Sequence, residues 1–245
     1  MVRAAARSDE ATDLELRENA ILAELPVGEL DALRPRLQLM DVEPRKSVYD
    51  PGKRISHVYF PTSAVFSLVA MAGSGASVEV ATTGREGMVG LPIFLGAMTS
   101  PHSAFCQVSG RAARLPANDL LAVLGRNPSL HQVLNRFTQA MMVQIAQNVL
   151  CNNTHTTEQR LCRWLLTTED RVARPTFQIT QEFMAQMLGV RRPTVSDTAG
   201  RLQDRGLIRY SRGVMTIVDR AKMEKATCDC YRIVKGEFDQ IMRRK

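Results

Sequence analysis

Arginine and carboxylate side chains are clustered shortly after a glycine in the C-terminal part of the sequence. Arg191 and Arg192 follow Gly189, and a guanidinium can donate two parallel hydrogen bonds to the O6 and N7 atoms of guanine. Ser196 and Asp197 come about one helical turn later, and a carboxylate can accept from the amine of cytosine. This combination predicts recognition of base edges in the major groove of DNA.

The elements that must position these side chains are predicted within residues 179–208. Thr180 is a preferred N-cap residue for a first helix, Gly189 supplies the backbone freedom for a sharp turn, and Pro193 is tolerated in the first turn of a second helix. The segment therefore predicts a helix-turn-helix. Its inner face is formed by apolar residues at helical spacing, namely Met184, Ala185, Leu188, Val195, Ala199 and Leu202.

The segment after the helix pair alternates apolar and polar residues on both sides of Ser211-Arg212-Gly213, which predicts a β-hairpin. A hairpin in this place forms a wing, and we expect Thr180, Arg209 and Arg212 to hold DNA phosphates. The full set of predicted DNA contacts is Thr180, Arg191, Arg192, Thr194, Ser196, Asp197, Arg201, Arg209 and Arg212.

The charge distribution supports a polyanionic partner for this part of the chain only. Residues 1–151 contain 14 Lys+Arg and 14 Asp+Glu, whereas residues 152–245 contain 18 and 11, so the whole net charge of +7 lies in the C-terminal part. A basic module joined to a neutral one is typical of nucleic-acid binding. No Lys-rich amphipathic helix with a Trp/Phe face points to a membrane surface instead.

Targeting and redox signals favour a cytoplasmic, reduced protein without a membrane partner. The polar start, residues 1–13, has no apolar core of a signal peptide, and no apolar run approaches the ~20 residues that span a bilayer. The odd number and irregular spacing of the cysteines argue against a disulfide framework; they are Cys106, Cys151, Cys162, Cys228 and Cys230.

The chain as a whole predicts an α+β fold in three units. Short helices between residues 14 and 39, one starting near Val27, and alternating strands between 40 and 115 predict an effector-sensing antiparallel β jelly-roll barrel over 1–127. A long dimerisation helix follows over 128–153. A winged helix-turn-helix domain over 154–245 is predicted to begin with a helix at 154–171 and to end with a single helix at 220–242.

The long helix carries an apolar seam with the 4-3-4 spacing of a heptad, which predicts a homodimer. The alternative is that the helix packs on its own barrel, and both can hold for different faces. The predicted dimer-interface residues are Leu130, Leu134, Phe137, Met141 and Ile145.

Metal and catalytic chemistry are not predicted. Cys228 and Cys230 form the only close cysteine pair, whereas zinc sites usually need a second pair of ligands. Cys162 is distant in sequence and no suitable histidine follows, so incidental buried thiols are favoured over a metal or redox role. The sequence contains no Walker loop, G-x-S-x-G or H-E-x-x-H motif, and we predict neither an enzyme nor a fixed cofactor.

The order of barrel, long helix, helix-turn-helix and wing resembles the Crp/Fnr family of bacterial transcription regulators. The similarity extends from about residue 20 and is most specific in residues 179–217 and in SVEVATTGREGMVGLPIFLG. The resemblance implies a homodimer that binds a two-fold symmetric DNA site, recruits or blocks RNA polymerase, and senses a small signal with its barrel.

The resemblance also implies an altered base-reading set. Family members commonly use an Arg-Glu pair and a further Arg one turn later, and the matching places here are Arg192, Pro193 and Asp197. Pro193 cannot accept from cytosine, and Asp197 repels nearby phosphates. We therefore expect a half-site that differs from the best-known one of the family.

The effector pocket departs further from the family pattern. Cyclic-nucleotide-binding members have Gly-Glu for the ribose and Arg-Ser/Thr-Ala for the cyclic phosphate, and the matching places are Gly87-Met88 and His102-Ser103-Ala104. Methionine cannot accept from a hydroxyl, and a mostly neutral histidine replaces a fixed cation. Glu86 would restore the ribose contact only if the sequence is matched to the family motif one residue earlier.

Usual binding of cyclic AMP is therefore not expected. Two alternatives stay open: the protein is competent without any ligand, or it senses another signal. The candidate signals are a cyclic nucleotide after all, a cyclic dinucleotide, a small acid or another unidentified small molecule, a gas through haem, and redox state. A second hypothesis is a signal-binding module whose helix pair mainly contacts another protein, against which the basic C-terminal part argues.

Overall fold

Two antiparallel sheets form the N-terminal part of the chain. The computed structural model describes residues 12–73, 75 and 77–242, so most of the polar start lies outside the described residues. The strands are β1 (Gln38–Val42), β2 (Ser47–Tyr49), β3 (His57–Pro61), β4 (Val65–Met71), β5 (Ser77–Thr83), β6 (Ser103–Val108) and β7 (Gly110–Pro116). One sheet has the order β1-β7-β3 and the other β2-β6-β4-β5. The predicted α+β fold with an N-terminal barrel is confirmed.

Short helices flank the barrel. A buried asparagine, Asn19, fixes the second of them, because its side chain caps that helix and also donates to the carbonyls of Pro61 and Gly87 at 2.9 Å each. The predicted helix near Val27 is present. The elements are α1 (Asp13–Leu16), α2 (Ala20–Ala23), α3 (Val27–Leu33), a 3₁₀ turn (Arg34–Arg36), α4 (Leu91–Phe94) and α5 (Ala117–Leu124).

The long helix α6 (Pro128–Thr154) begins where it was predicted. Its heptad seam faces the protein's own core: Leu130, Leu134, Phe137 and Met141 are buried against the barrel and the C-terminal helix, with the rings of Phe137 and Phe238 6.2 Å apart. The alternative of packing on the same chain therefore holds for this face. The apolar spacing predicted a covered stripe correctly but could not identify what covers it.

The C-terminal part contains a three-stranded sheet and five helices. The elements are α7 (Thr157–Val172), β8 (Thr176–Gln178), α8 (Gln181–Leu188), α9 (Arg192–Asp204), β9 (Ile208–Ser211), β10 (Val214–Ile217), α10 (Arg220–Ala226) and α11 (Cys230–Met242). The sheet order is β8-β10-β9, so the predicted wing has a third strand at its edge, β8, which the sequence did not indicate.

The prediction of one continuous helix over 220–242 is wrong. The backbone becomes extended at Thr227, and the chain then turns into α11. This break directs Val234 and Phe238 into the core formed by the barrel and α6, a face that a straight continuation of α10 would not present. Periodicity alone did not reveal the change of direction.

The barrel and the helix-turn-helix region share a core. Val65, Val69 and Val108 of the barrel belong to the same buried cluster as α7, α8 and α9, and the rings of Phe105 and Phe183 meet edge-on at 5.9 Å. Among the described residues, no helix is long and apolar enough to cross a membrane.

Candidate nucleic-acid interface and sensor cavity

The helix pair begins and turns at the predicted residues. The Thr180 hydroxyl accepts from the Phe183 amide at 3.2 Å, which caps α8. Gly189 ends α8 with a φ of +63°, a left-handed conformation that favours glycine. Pro193 lies in the first turn of α9, where its missing N–H leaves no helical bond unmade.

The helix pair has a buried face and an exposed face, and both contain the residues that the sequence predicted. The six predicted inner residues are all buried, with Met184, Val195 and Leu202 fully inaccessible. The nine predicted DNA contacts are all exposed. The structure thus presents these side chains to solvent, and their contact with DNA stays a prediction.

Arg192 and Arg201 lie on opposite flanks of the exposed face of α9, because nine residues correspond to two and a half helical turns. Arg201 lies 3.7 Å from a carboxylate oxygen of Glu158 on α7, and Arg205 lies 2.5 Å from the other oxygen. The middle of the exposed face is occupied by Pro193, Asp197 and Gly200. Arg192 is therefore the arginine of α9 that is most available to a base.

The wing is fixed to the helix pair by hydrogen bonds. Arg212 and Gly213 at its tip both have positive φ, +50° and +79°, as a type I′ hairpin turn requires. The Tyr210 hydroxyl donates to the carbonyl of Ile179 at 3.1 Å, and the Tyr210 amide donates to Gln203 of α9. Arg212 is thus presented to solvent from a well-supported turn.

A cavity of about 250 Å³ lies between the barrel and α6. We call it the sensor cavity; Met88, His102 and Ala104 of the predicted effector residues line it, together with Ser67 and Met142. Gly87 does not line it, because its Cα faces the ring of Phe137, which a Cβ at this position would overlap. Ser103 does not line it either.

Glu86 also lies outside the sensor cavity. Its Oε1 atom is 2.6 Å from the Nε atom of Arg171 on α7, and both side chains are buried. Arg171 further donates to the hydroxyl of Thr82 and lies with its guanidinium carbon 5.7 Å from the centre of the Phe238 ring. Glu86 is therefore part of the contact between the barrel and α7 rather than a ribose ligand.

A second buried carboxylate connects the sensor cavity with α7. Ser67 donates to Oε2 of Glu79 at 2.6 Å, and the indole of Trp164 donates to Oε1 at 2.8 Å. Burial raises the pKa of Glu79 to about 7, and these two hydrogen bonds limit the rise. Ser67 lines the cavity, so the cavity wall, the carboxylate and α7 are hydrogen-bonded in series.

The sequence did not reveal the buried polar contacts that Glu79 and Glu86 of the barrel make with α7. The partners are far apart along the chain, and a single Glu or Arg in an amphipathic segment gives no local signal of burial. Gly84 offers one retrospective sign: a Cβ there would lie 2.6 Å from Cβ of Arg171, so only glycine allows α7 to approach the barrel this closely.

Comparison with known proteins assigns the C-terminal region. Residues 159–226 match the model of the Crp-like helix-turn-helix domain, which contains the whole helix pair and wing. No curated protein matches the chain.

Solved structures resemble more than three quarters of the chain in fold. FixK2 from Bradyrhizobium japonicum has a TM-score of 0.67 at 14% identity, covering 78% of this chain and 98% of its own. The c-di-GMP responsive global regulator CLP from Xanthomonas campestris has 0.64 at 14%, covering 79% and 100%. A CRP/FNR-family transcriptional regulator from Thermus thermophilus has 0.56 at 18%, covering 77% and 97%. At these identities the likeness is one of fold.

Proposed function

Since the chain has the fold of a Crp/Fnr-type transcription regulator with a helix-turn-helix DNA-binding domain, we propose that it binds a two-fold symmetric DNA site as a homodimer. The exposed arginine-bearing face of α9, set on a buried helix pair and followed by a supported wing, is the observation that carries this proposal. Under this proposal the chain has three functional units, namely a sensor barrel at 1–127, a dimerisation helix at 128–153 and a DNA-binding domain at 154–245. RNA polymerase is the proposed partner once DNA is bound.

Base recognition is assigned to Arg192 and Asp197. Arg192 is exposed at the start of α9 and suits guanine, while Asp197 lies near the centre of the exposed face and suits the amine of cytosine. Pro193 and Gly200 add no hydrogen-bonding side chain to this face. Recognition of the half-site therefore depends on few direct contacts to bases. The wing and the N-terminus of α8 would contact DNA phosphates.

Dimerisation is assigned to a second seam of α6, not to the predicted one. Met142, Ile145 and Val149 are exposed apolar residues at the 3-4 spacing of a heptad, about a quarter of a turn from the buried seam. Apolar residues at this spacing form the stripe that is buried when two helices pack as a coiled coil. Ile145 is the one predicted interface residue on this seam.

The sensor cavity adjoins this seam, because Met142 and Ile145 also line it. A second copy of α6 would cover the cavity's open side, so ligand occupancy and dimer geometry would be linked. Among its described lining residues there is no arginine or lysine, so a small, mostly apolar effector suits it better than a cyclic nucleotide phosphate.

The proposal is tested by selecting binding sites from random DNA with the full-length protein. The expected result is a two-fold symmetric consensus whose half-site centres are about one DNA turn apart, with affinity that falls steeply as salt rises. Binding without any sequence preference would contradict the proposal. Loss of all DNA binding at low salt would favour the alternative, a module whose C-terminal domain contacts another protein.

A further inference from the structure

Four potential metal ligands converge where α6 ends. Cys151, His155, Cys228 and Cys230 each place one ligand atom within 4.8 Å of the others, and the three cysteines are buried. The Sγ atoms of Cys151 and Cys228 are 3.6 Å apart, and Sγ of Cys230 is 3.7 Å from Nδ1 of His155. The sequence predicted incidental thiols because it did not show that Cys151 and His155 meet the Cys228–Cys230 pair.

The two distances of 3.6 and 3.7 Å match edges of a tetrahedral zinc site, and the other ligand pairs lie within 4.8 Å. Zinc–sulfur bonds of about 2.3 Å and zinc–nitrogen bonds of about 2.0 Å give ligand separations of roughly 3.5–3.8 Å. A disulfide would bring two sulfurs to about 2.05 Å and would leave the histidine without a role. An iron–sulfur cluster binds its ligands to different iron atoms, so it needs more widely spaced sulfurs than a single ion does.

The backbone positions the ligands in two pairs. Cys151 and His155 are one turn apart, and the His155 amide donates to the Cys151 carbonyl at 3.1 Å as α6 ends. Cys228 and Cys230 lie at the break between α10 and α11. Thr227, which directly precedes Cys228, donates its hydroxyl to the carbonyl of Gln159 on α7 at 3.4 Å. The unpredicted break in the C-terminal helix is thus what brings the second pair to the first.

Two arginines support a negatively charged centre. Three thiolates and one divalent cation leave one net negative charge. Arg163 donates at 2.5 Å to Oδ1 of Asn148, which lies one helical turn before Cys151, and Arg160 lies one turn before Arg163 on α7. Among the described residues, the buried Nε atoms of both arginines have no hydrogen-bond partner. Thiolate sulfurs bound to a metal would accept hydrogen bonds from such groups.

We propose that Cys151, His155, Cys228 and Cys230 bind one zinc ion in a closed structural site. Four protein ligands leave no open position for a reaction. The ion would join the end of α6 and the α6–α7 connection to the start of α11, so it would hold the long helix and the DNA-binding domain at one angle.

The first test measures zinc in full-length protein purified without a polyhistidine tag and without chelator. About one zinc per chain is expected, with loss of most zinc in Cys228→Ser and Cys151→Ser. Cys106→Ser and Cys162→Ser are matched controls, because these cysteines are also buried and free but lie outside the four-residue cluster. Equal zinc in all four variants would overturn the proposal.

The second test replaces zinc by Co²⁺ in reduced metal-free protein. Tetrahedral visible bands and a thiolate-to-cobalt charge-transfer band are expected, weakened in His155→Ala and restored with a shifted spectrum in His155→Cys, which replaces nitrogen by sulfur. This rescue distinguishes ligation from a folding defect. A folded wild-type protein without these bands, or with a Cys151–Cys228 disulfide after purification under reducing conditions, would refute the site.

Discussion

The indole Nε1 atom of Trp164 lies 2.8 Å from Oε1 of Glu79, although 85 positions separate the two residues in the sequence. Trp164 belongs to α7 of the DNA-binding region, and Glu79 belongs to β5 of the barrel. The carboxylate also accepts from Ser67, a residue of the sensor-cavity wall. A change in the cavity that moved Ser67 would therefore act on a carboxylate that α7 also contacts.

Glu79 is expected to make stability depend on pH. Burial raises the pKa of the carboxyl from its ordinary value of 4.5 to about 7 in the folded protein, so the folded state binds the proton more tightly. The raised pKa of Glu79 therefore contributes about 3 kcal/mol to the free energy of unfolding. This contribution is fully present below about pH 4.5 and is lost as the pH rises through 7. Urea unfolding of Glu79→Gln should show a flatter pH dependence than the wild type.

Glu43→Gln is the control for this measurement, because Glu43 is exposed and its substitution should leave the pH dependence unchanged. If Glu79→Gln kept the full slope of the wild type between pH 5 and pH 8, the assignment of the slope to Glu79 would be wrong.

The Glu86–Arg171 pair is expected to be strongly coupled. Both side chains are about 5% exposed, so Arg171→Met leaves a buried carboxylate without its partner and should lower the free energy of unfolding by about 3–5 kcal/mol. Adding Glu86→Gln should recover part of this loss, since the uncompensated charge is removed. Chemical denaturation of the two single variants and the double variant measures the coupling.

Lys53→Met provides the matched comparison, because the Lys53–Asp50 pair is exposed and its loss should cost less than about 1 kcal/mol. Additive effects of the Arg171 and Glu86 substitutions would show that the two side chains do not interact in solution.

Arg192 and Arg212 are expected to affect DNA binding differently. Arg192→Ala should remove about 1–3 kcal/mol of discrimination at one base pair of the selected site. Arg212→Ala should weaken binding to all sequences about equally and reduce the salt slope by about one. Fluorescence anisotropy against the consensus and single-base variants separates the two effects.

The exposed Arg126, which precedes α6, is the control position, and Arg126→Ala should leave affinity and salt slope as in the wild type. A uniform loss for Arg192→Ala would reassign that side chain to a phosphate.

The helix pair was predictable from the sequence because its signals are local. The cap at Thr180, the left-handed Gly189 and the hairpin at Arg212 each depend on a few neighbouring residues, and the structure has all three. The barrel was predictable as a class from its alternating strands, while its strand order was not.

Features that depend on distant residues were not predictable in the same way. A heptad seam shows that a stripe of α6 is apolar, but either the barrel or a second chain can cover it. Cys228 and Cys230 gave an incomplete set of ligands until the fold placed Cys151 and His155 beside them. Glu79 and Glu86 gave no sign of burial, because each one's partner lies on α7, more than 80 residues away.

The exposed seam of α6 is expected to determine the oligomeric state. Ile145→Glu combined with Val149→Glu places two carboxylates on this seam, and desolvating them in a dimer is costly, so the variant should be monomeric in analytical ultracentrifugation. Gln139→Glu adds a charge to the same helix at an exposed position outside the seam and should leave the dimer intact. The monomeric variant should also lose affinity for the two-fold site, because each subunit then binds one half-site alone. A dimer that persists in the double variant would place the interface elsewhere on the protein.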